Sequence, residues 1–325
     1  MSAQTAILIL THQPARLPFL LDLLDDRFAI YVHVDAKADL ALAPARLPPH
    51  VQVITPRIPV FWGGWSMMRA TLALMEAARD HPRQVLISGD SLPVQSLDHL
   101  AETLSQPDTE YIDLIEVPDD PSLAGTDPRR AIERHGWVQP WRRHNYVFWD
   151  HPLLNPMQAE HAASRYGVPR AQLDWIRGEA QHAVAEILSQ IPPRAALFPK
   201  FFYGAQWWAL TGATIAGLLA TLRDPAIEAY FRYMQVPDEH MLQTILGNQP
   251  ALLGGRHRHG TPMFTDHTRR THGDDTLDSA GFRAASATAL FARKFDPATA
   301  PDVAQAIQSG HYDRDILGLT GPKPR

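Results

Sequence analysis

Residues 6–35 read AILILTHQPARLPFLLDLLDDRFAIYVHVD, and their pattern decides the fold class. Ala6-Ile-Leu-Ile-Leu10 is a short unbroken apolar run, as expected of a strand covered on both faces, and it stops at Thr11-His12-Gln13-Pro14. Leu17, Leu20, Leu21 and Leu24 then recur at helical spacing. Ala29-Ile-Tyr-Val-His-Val34 is a second β-rich run, closed by Asp35.

The alternation continues. Val51-Gln-Val-Ile54 reads as a third strand. After Gly63-Gly64 the stretch from Ser66 to Asp80 reads as a helix, with Ser66 the expected cap. Val85-Leu-Ile87 is a fourth strand, ended by Ser88-Gly89-Asp90, and a helix from Leu97 to Leu104 and a strand from Tyr111 to Val117 follow. Repeated units of this kind imply an α/β fold with a mainly parallel central sheet and helices on both faces. Ligands on such sheets sit at the carboxyl ends of the strands. Here those ends carry Thr11-His12, Asp35-Ala36-Lys37 and Ser88-Gly89-Asp90-Ser91, each polar after an apolar run.

From Asp119 to Trp149 the character changes to Pro, Arg, His and Trp, as in Arg142-Arg-His-Asn-Tyr-Val-Phe-Trp149. Long polar–aromatic connections within a domain are often functional. A long helix is expected from Arg170 to Leu188, a strand over Gln206-Trp-Trp-Ala-Leu-Thr211, and helices from Thr214 to Leu222 and Ala226 to Met234. Pro237-Asp-Glu-His240 is expected to open a helix running to about Leu246. Gly254 to Gly281 reads as loop with four histidines, and Ala289 to Phe295 as a last strand or turn.

Composition narrows the function classes. The chain has 325 residues, 45% hydrophobic and 20% charged, enough for a full core and unlike a disordered segment. Its 30 basic and 35 acidic side chains give a formal charge of −5, which argues against a main role in gripping nucleic acid. Lysine occurs only at Lys37, Lys200, Lys294 and Lys323, and the heavy Ala, Arg and Pro usage is that of a GC-rich bacterial genome. Cysteine is absent, which removes disulfides, thiolate metal sites and a cysteine nucleophile together. Met1 to Leu10 lacks a basic leader with a long apolar run, and no apolar stretch reaches the ~20 residues of a membrane helix. The expectation is a cytoplasmic protein without a transmembrane segment, with peripheral membrane contact and oligomeric state left open.

No glycine-rich dinucleotide fingerprint, P-loop, HExxH or GxSxG is present. A metal-dependent sugar-nucleotide transferase usually places Asp-x-Asp after a mid-sheet strand. The only Asp-x-Asp here is Asp313-Arg-Asp315, near the C-terminus, where it reads as solvated charge. His257, His259, His267 and His272 have spacings that match no familiar metal site. Glu239, in Pro237-Asp238-Glu239, is placed as a first-turn carboxylate at the positive end of a helix, which suits a general base and equally suits plain dipole complementation. Arg293-Lys294 lies between Phe291 and Phe295, where a diphosphate or solvent would balance the charge. Phe61-Trp62-Gly63-Gly64-Trp65 and Gln206-Trp207-Trp208 set indoles beside small or polar residues, as sugar contacts or as core.

Taken in order, these pieces resemble the core-2/I-branching β-1,6-N-acetylglucosaminyltransferase and peptide O-xylosyltransferase group, glycosyltransferase family 14. The resemblance is carried by Ile9-Leu-Thr-His12, Tyr31-Val-His-Val-Asp35, Phe61-Trp-Gly-Gly64, Leu86-Ile-Ser-Gly-Asp-Ser-Leu-Pro93, Gly204-Ala-Gln-Trp-Trp-Ala-Leu-Thr211, Val236-Pro-Asp-Glu-His240 and Leu290-Phe-Ala-Arg-Lys-Phe-Asp296. It implies a GT-A-type nucleotide-diphosphosugar transferase, a single catalytic domain over 1–325. That domain divides into a nucleotide-binding half (1–118), an acceptor and catalytic half (119–297) and a C-terminal helix and tail (298–325). It implies inverting transfer of N-acetylglucosamine or xylose from a UDP-sugar to an acceptor hydroxyl, for a bacterial polysaccharide or other glycan, without a divalent metal or other cofactor. Glu239 falls at the family's base, and Lys294 with Arg293 at the cations that replace the metal. Asp35 and nearby His12 fall at the uridine, and Arg269 or Arg270 at a further diphosphate arginine. Trp62, Asp90, Ser91, Gln206 and Trp207 are the expected sugar and acceptor contacts. The family's fourth-strand motif has an acid two residues before the proline. Here Ser91 stands there, and Asp90 is one residue earlier. The alternative is a non-catalytic UDP-sugar or carbohydrate-binding protein on the same fold.

Overall fold

The structure, a computed structural model, describes residues 4–39, 47–266 and 276–319. Among these the strands are β1 (Thr5–Thr11), β2 (Phe28–Val34), β3 (Val51–Val53), β4 (Arg83–Ser88), β5 (Ser91–Pro93), β6 (Thr109–Tyr111), β7 (Ile115–Val117), β8 (Phe201–Tyr203), β9 (Trp208–Thr211), β10 (His257–His259), β11 (Met263–Thr265) and β12 (Phe291–Arg293). Seven of them form the central sheet in the order β10-β6-β9-β4-β1-β2-β3. The β1–β2, β1–β4, β2–β3 and β6–β10 pairs are parallel. Among these seven strands β9 alone runs antiparallel, slotted between β4 and β6.

The apolar pattern explains the sheet's centre. Ala6 to Ile9 and every residue of β4 are buried, as a strand covered on both faces requires. Helices Trp65–Ala77, Leu97–Ser105 and Gly212–Thr221 pack against the sheet. β5, β11 and β12 make a second small sheet, and β7 pairs with β8. Beneath β5 and β12 a separate apolar cluster, including Leu92, Phe282, Phe295, Val303, Ile307 and Tyr312, gathers the C-terminal helices. Arg16 ties this region to the first strand–helix unit through Asp296, at 2.5 Å.

A buried polar staple fixes the antiparallel insertion. Glu110 in β6 is fully buried and accepts from Thr211 N (2.8 Å), Thr211 Oγ1 (2.6 Å) and Thr214 Oγ1 (2.6 Å). Arg83 in β4 donates to the carbonyls of Ala209, Gln106 and Thr109. Both sides of β9 are therefore held by charged groups whose bonding capacity is spent on the seam.

Three local expectations are corrected. Ser66 is not the cap of its helix. The helix begins at Trp65 with Gly64 ahead of it, and the Ser66 hydroxyl accepts from Phe61 N instead. The cap comes from Asp150, far along the chain, whose Oδ1 accepts from Ser66 N at 2.9 Å. The single strand expected from Tyr111 to Val117 breaks into β6 and β7. Between them Asp113 accepts from Thr261 N and Ala205 N, which draws the chain out of the central sheet. The loop expected from Gly254 to Gly281 contains β10 and β11; their pairing partners, β6 and β12, lie too far away in sequence for local pattern to reveal.

Candidate active site

The register of β1, β2 and β4 sets the first part of the site. Thr11 lies opposite Val34 and Leu10 opposite Ser88, so the three strands end side by side. His12, Asp35 and Gly89-Asp90 consequently share one rim. Asp35 N donates to Thr11 O and Gly89 N to Leu10 O, both at 2.8 Å. A Cβ on Gly89 would stand 2.6 Å from the Thr11 side chain, so this turn admits only glycine. The Asp35 carboxylate is nearly buried and accepts from Lys37 N (2.9 Å), Lys37 Nζ (2.8 Å) and Val60 N (3.2 Å). Lys37 also stands 4.6 Å over the Phe61 ring. His12 is exposed at the rim.

β12 brings the basic pair to the same rim. It runs antiparallel to β5 with Arg293 opposite Ser91. Arg293 Nε donates to Ser88 Oγ at 2.9 Å, Nη2 lies 3.4 Å from Asp90 Oδ1, and the guanidinium stacks 4.6 Å over the Trp207 ring. Burial opposes ionisation of Asp90, but the Arg293 charge and the Ser88 hydroxyl outweigh it and hold the carboxyl below its usual range. Lys294, the next residue, adds to the same field. Ser91 is fully buried, and its hydroxyl serves Ser88 at 2.8 Å rather than the rim.

The segment 204–207 links this rim to Glu239. Gly204 N donates to Glu239 O at 3.0 Å, and three residues on Trp207 carries Arg293. Three residues span at most about 11 Å, so Glu239 and Arg293 flank one short loop from its two ends. A Cβ on Gly204 would lie 2.5 Å from Asp113 O, which requires glycine here. Between the two poles Gln206 is nearly buried, and its Nε2 has no hydrogen-bond partner among the described residues.

Glu239 itself sits differently from expectation. Pro237–Glu239 is a 3-10 turn, and the α-helix proper is Met241–Asn248, with His240 at its cap position. Glu239 therefore precedes the helix rather than lying in its first turn. Its electrostatic partner is Arg142, Nη1 to Oε2 3.4 Å, with side chains 11% and 31% exposed for Arg142 and Glu239. Arg142 comes from helix Gln139–His144 in the basic–aromatic stretch, and nothing in the sequence distinguishes it from the arginines around it. The density of arginine and tryptophan in that stretch is the only trace of its role. Asp238, one residue before Glu239, is buried, with Oδ1 unpartnered among the described residues, and burial followed by the Glu239 charge pushes its carboxyl up to about 7. His240 is buried between the Phe201 and Tyr203 rings and donates Nδ1–H to Phe202 O at 3.2 Å; burial keeps it neutral. Val236 opens the turn at φ 48°, a conformation uncommon for a β-branched residue, and its N–H bonds Gly63 O at 2.8 Å.

Trp62 stands 52% exposed beside this turn. Arg269 and Arg270 lie outside the described residues, as do His267 and His272. His257 and His259 sit on the edge strand β10 with rings 4.6 Å apart. Asp313 and Asp315 lie in helix Tyr312–Asp315, which the Tyr312 hydroxyl pins to Pro93 O in the C-terminal cluster. Among the described residues no three His or acidic side chains gather as a metal site, and no helix is long and apolar enough to cross a membrane.

Residues 7–131 match the sequence model of the Core-2/I-Branching enzyme family, which supports the family that the motifs resemble. The match covers His12, Asp35, Trp62, Asp90 and Ser91, whereas Glu239, Arg293 and Lys294 lie beyond it. No curated protein matches the chain.

Proposed function

From the match to a family of glycosyltransferases, which implies a sugar donor and an acceptor, we propose that this chain is a GT-A-type, inverting transferase working from a UDP-sugar without a metal ion. The observation that carries the reading is the loop 204–207, with the main-chain carbonyl of Glu239 bonded at one end and Arg293 stacked on Trp207 at the other. The acceptor hydroxyl attacks the anomeric carbon in line with the departing diphosphate. Glu239 takes the hydroxyl proton as the new C–O bond forms. The bond from the anomeric carbon to the phosphate oxygen breaks, and UDP leaves with the electron pair. Lys294 and Arg293 then stabilise the growing negative charge, as fixed dipoles and charges do best in a dry site.

The roles divide further. Arg293 is partly neutralised by Asp90 and anchored on Trp207, and Lys294 adds a second positive charge beside it. Asp35 and His12 form the uridine end of the rim. Gln206, whose Nε2 has no partner among the described residues, holds the donor sugar once bound. Arg142 orients the base.

The test is UDP release across a panel of UDP-sugars, with and without excess EDTA, alongside UDP binding by calorimetry. Turnover that persists in EDTA supports the reading. Loss in EDTA with recovery on adding manganese would contradict the cationic role, and UDP binding with no turnover on any acceptor would make the chain a non-catalytic binder.

A further inference from the structure

We propose that Trp62 and Trp149 form a second carbohydrate subsite, which takes a ring of an extended saccharide acceptor beyond the ring that reacts. The inference rests on the transferase reading above. Trp62 is the one exposed residue in the stretch 61–66, where Phe61, Gly63, Gly64, Trp65 and Ser66 are all buried. Trp149 faces it from a distant segment, ring centroids 6.4 Å apart and planes within 25°.

The pair is held in place from below. Asn155 is fully buried, and its Nδ2 donates to both Trp62 O (2.9 Å) and Trp149 O (3.2 Å). Gly63, at φ 70°, leaves room for the Trp149 ring, which a Cβ would meet at 3.0 Å. Next to Trp149, Asp150 caps the helix that follows Trp62. A fully buried amide thus ties together the two backbone segments that carry the indoles, one of which stays half in water. Leaving that apolar surface exposed forgoes burial, and an aromatic face is a surface on which the C–H face of a pyranose stacks.

The platform is continuous with the proposed base. Gly63 O accepts from Val236 N, and Val236 O accepts from Glu239 N at 3.1 Å. One hydrogen-bonded approach and a single 3-10 turn put the platform roughly 10 Å from Glu239 by chain geometry. A saccharide reacting at Glu239 would therefore carry its next units onto the indoles.

The test titrates the full chain, with UDP present, with cellohexaose, xylohexaose, chitohexaose and maltohexaose and with the matching monosaccharides, read by tryptophan fluorescence and calorimetry. At least one hexasaccharide is expected to bind more tightly than its monosaccharide. Trp62→Ala should weaken that binding by about five- to tenfold, and Trp62→Phe should keep most of it. Trp149→Ala should act in the same direction; because Trp149 packs on Gly63, the half-exposed Trp62 decides the outcome if that variant fails to fold. Failure of every hexasaccharide to bind, or unchanged binding in Trp62→Ala, would overturn the subsite. UDP titrated alone into the same proteins separates the two claims, since absent UDP binding sinks the transferase reading and leaves the saccharide result to stand.

Discussion

The guanidinium of Arg142 lies 3.4 Å from the carboxylate of Glu239, across 97 residues of sequence. Arg142 is the more buried partner, and burial works against its charge, with Glu239 the largest opposing influence. A side chain from the basic–aromatic stretch thus reaches the base candidate from a distant part of the chain.

Glu239→Gln keeps the shape and removes the proton acceptor. It should lower kcat by roughly 10²- to 10⁴-fold while UDP affinity stays near wild type. UDP release and UDP calorimetry on the same preparation check both halves, and near-wild-type turnover would remove Glu239 from its role.

Arg142→Ala should lower kcat by roughly tenfold or more through misplacement of the carboxylate, with a smaller change in KM for the donor. A shifted pH profile of kcat, largely recovered in Arg142→Lys, distinguishes positioning from loss of fold. Equal losses in both variants together with a lowered melting temperature would point to structure alone.

Removing Arg293 leaves the buried Asp90 with the Ser88 hydroxyl and the weaker influence of Lys294. Arg293→Met should cost about 3 kcal/mol of stability, and Asp90→Asn in the same chain should recover much of it. Urea denaturation of the two single variants and the double variant reads the coupling; strict additivity would show that the two charges do not support each other.

Much of this was legible in residues 6–118, and the reasons are physical. β1, β2 and β4 are apolar runs closed by polar residues, and a buried parallel strand leaves that trace in sequence without help from its neighbours. The β9 run Trp208-Ala-Leu-Thr211 is equally apolar, but nothing local records that it enters the sheet antiparallel between β4 and β6. The cap from Asp150, the turn at Asp113 and the Arg142–Glu239 pair are likewise contacts between distant segments. Of the expected site residues, His12, Asp35, Asp90 and Arg293 meet at one rim, and loop 204–207 joins Trp207 to Glu239. Ser91 turns inward because its hydroxyl is needed by Ser88.

Glu110 accepts three hydrogen bonds in the seam beside β9 and lies 3.5 Å from Arg256. Glu110→Ala strands the buried Thr211 N–H and leaves the Thr211 and Thr214 hydroxyls to bond each other and Leu252 O, and with the lost packing it should cost about 2–4 kcal/mol. Denaturation midpoints should move, whereas kcat of the surviving folded fraction should not. A shift below about 1 kcal/mol would mean that the staple is dispensable.

Asp238 supplies a pH signature. Its carboxyl is pushed from 3.8 to about 7 by burial first and then by Glu239. Between those values the folded protein holds a proton that the unfolded chain has released, so this group makes stability fall as pH rises through the window and level off above it. Asp238→Asn should flatten that part of the stability profile, measured by urea denaturation at successive pH values. A profile that keeps the wild-type slope would assign the titration elsewhere.

The antiparallel slot of β9 has a bearing on how the molecule is made. β6 and β10 reach the rest of the central sheet only through β9. A nascent chain leaving the ribosome can therefore join β1, β2, β3 and β4 early, but the gap beside β4 stays open until residue 211 has emerged. During that interval β4 presents the unpaired, otherwise buried edge Arg83 to Leu86 to solvent or to a chaperone. Closing it requires pairing across more than 100 residues, a slow, long-range step.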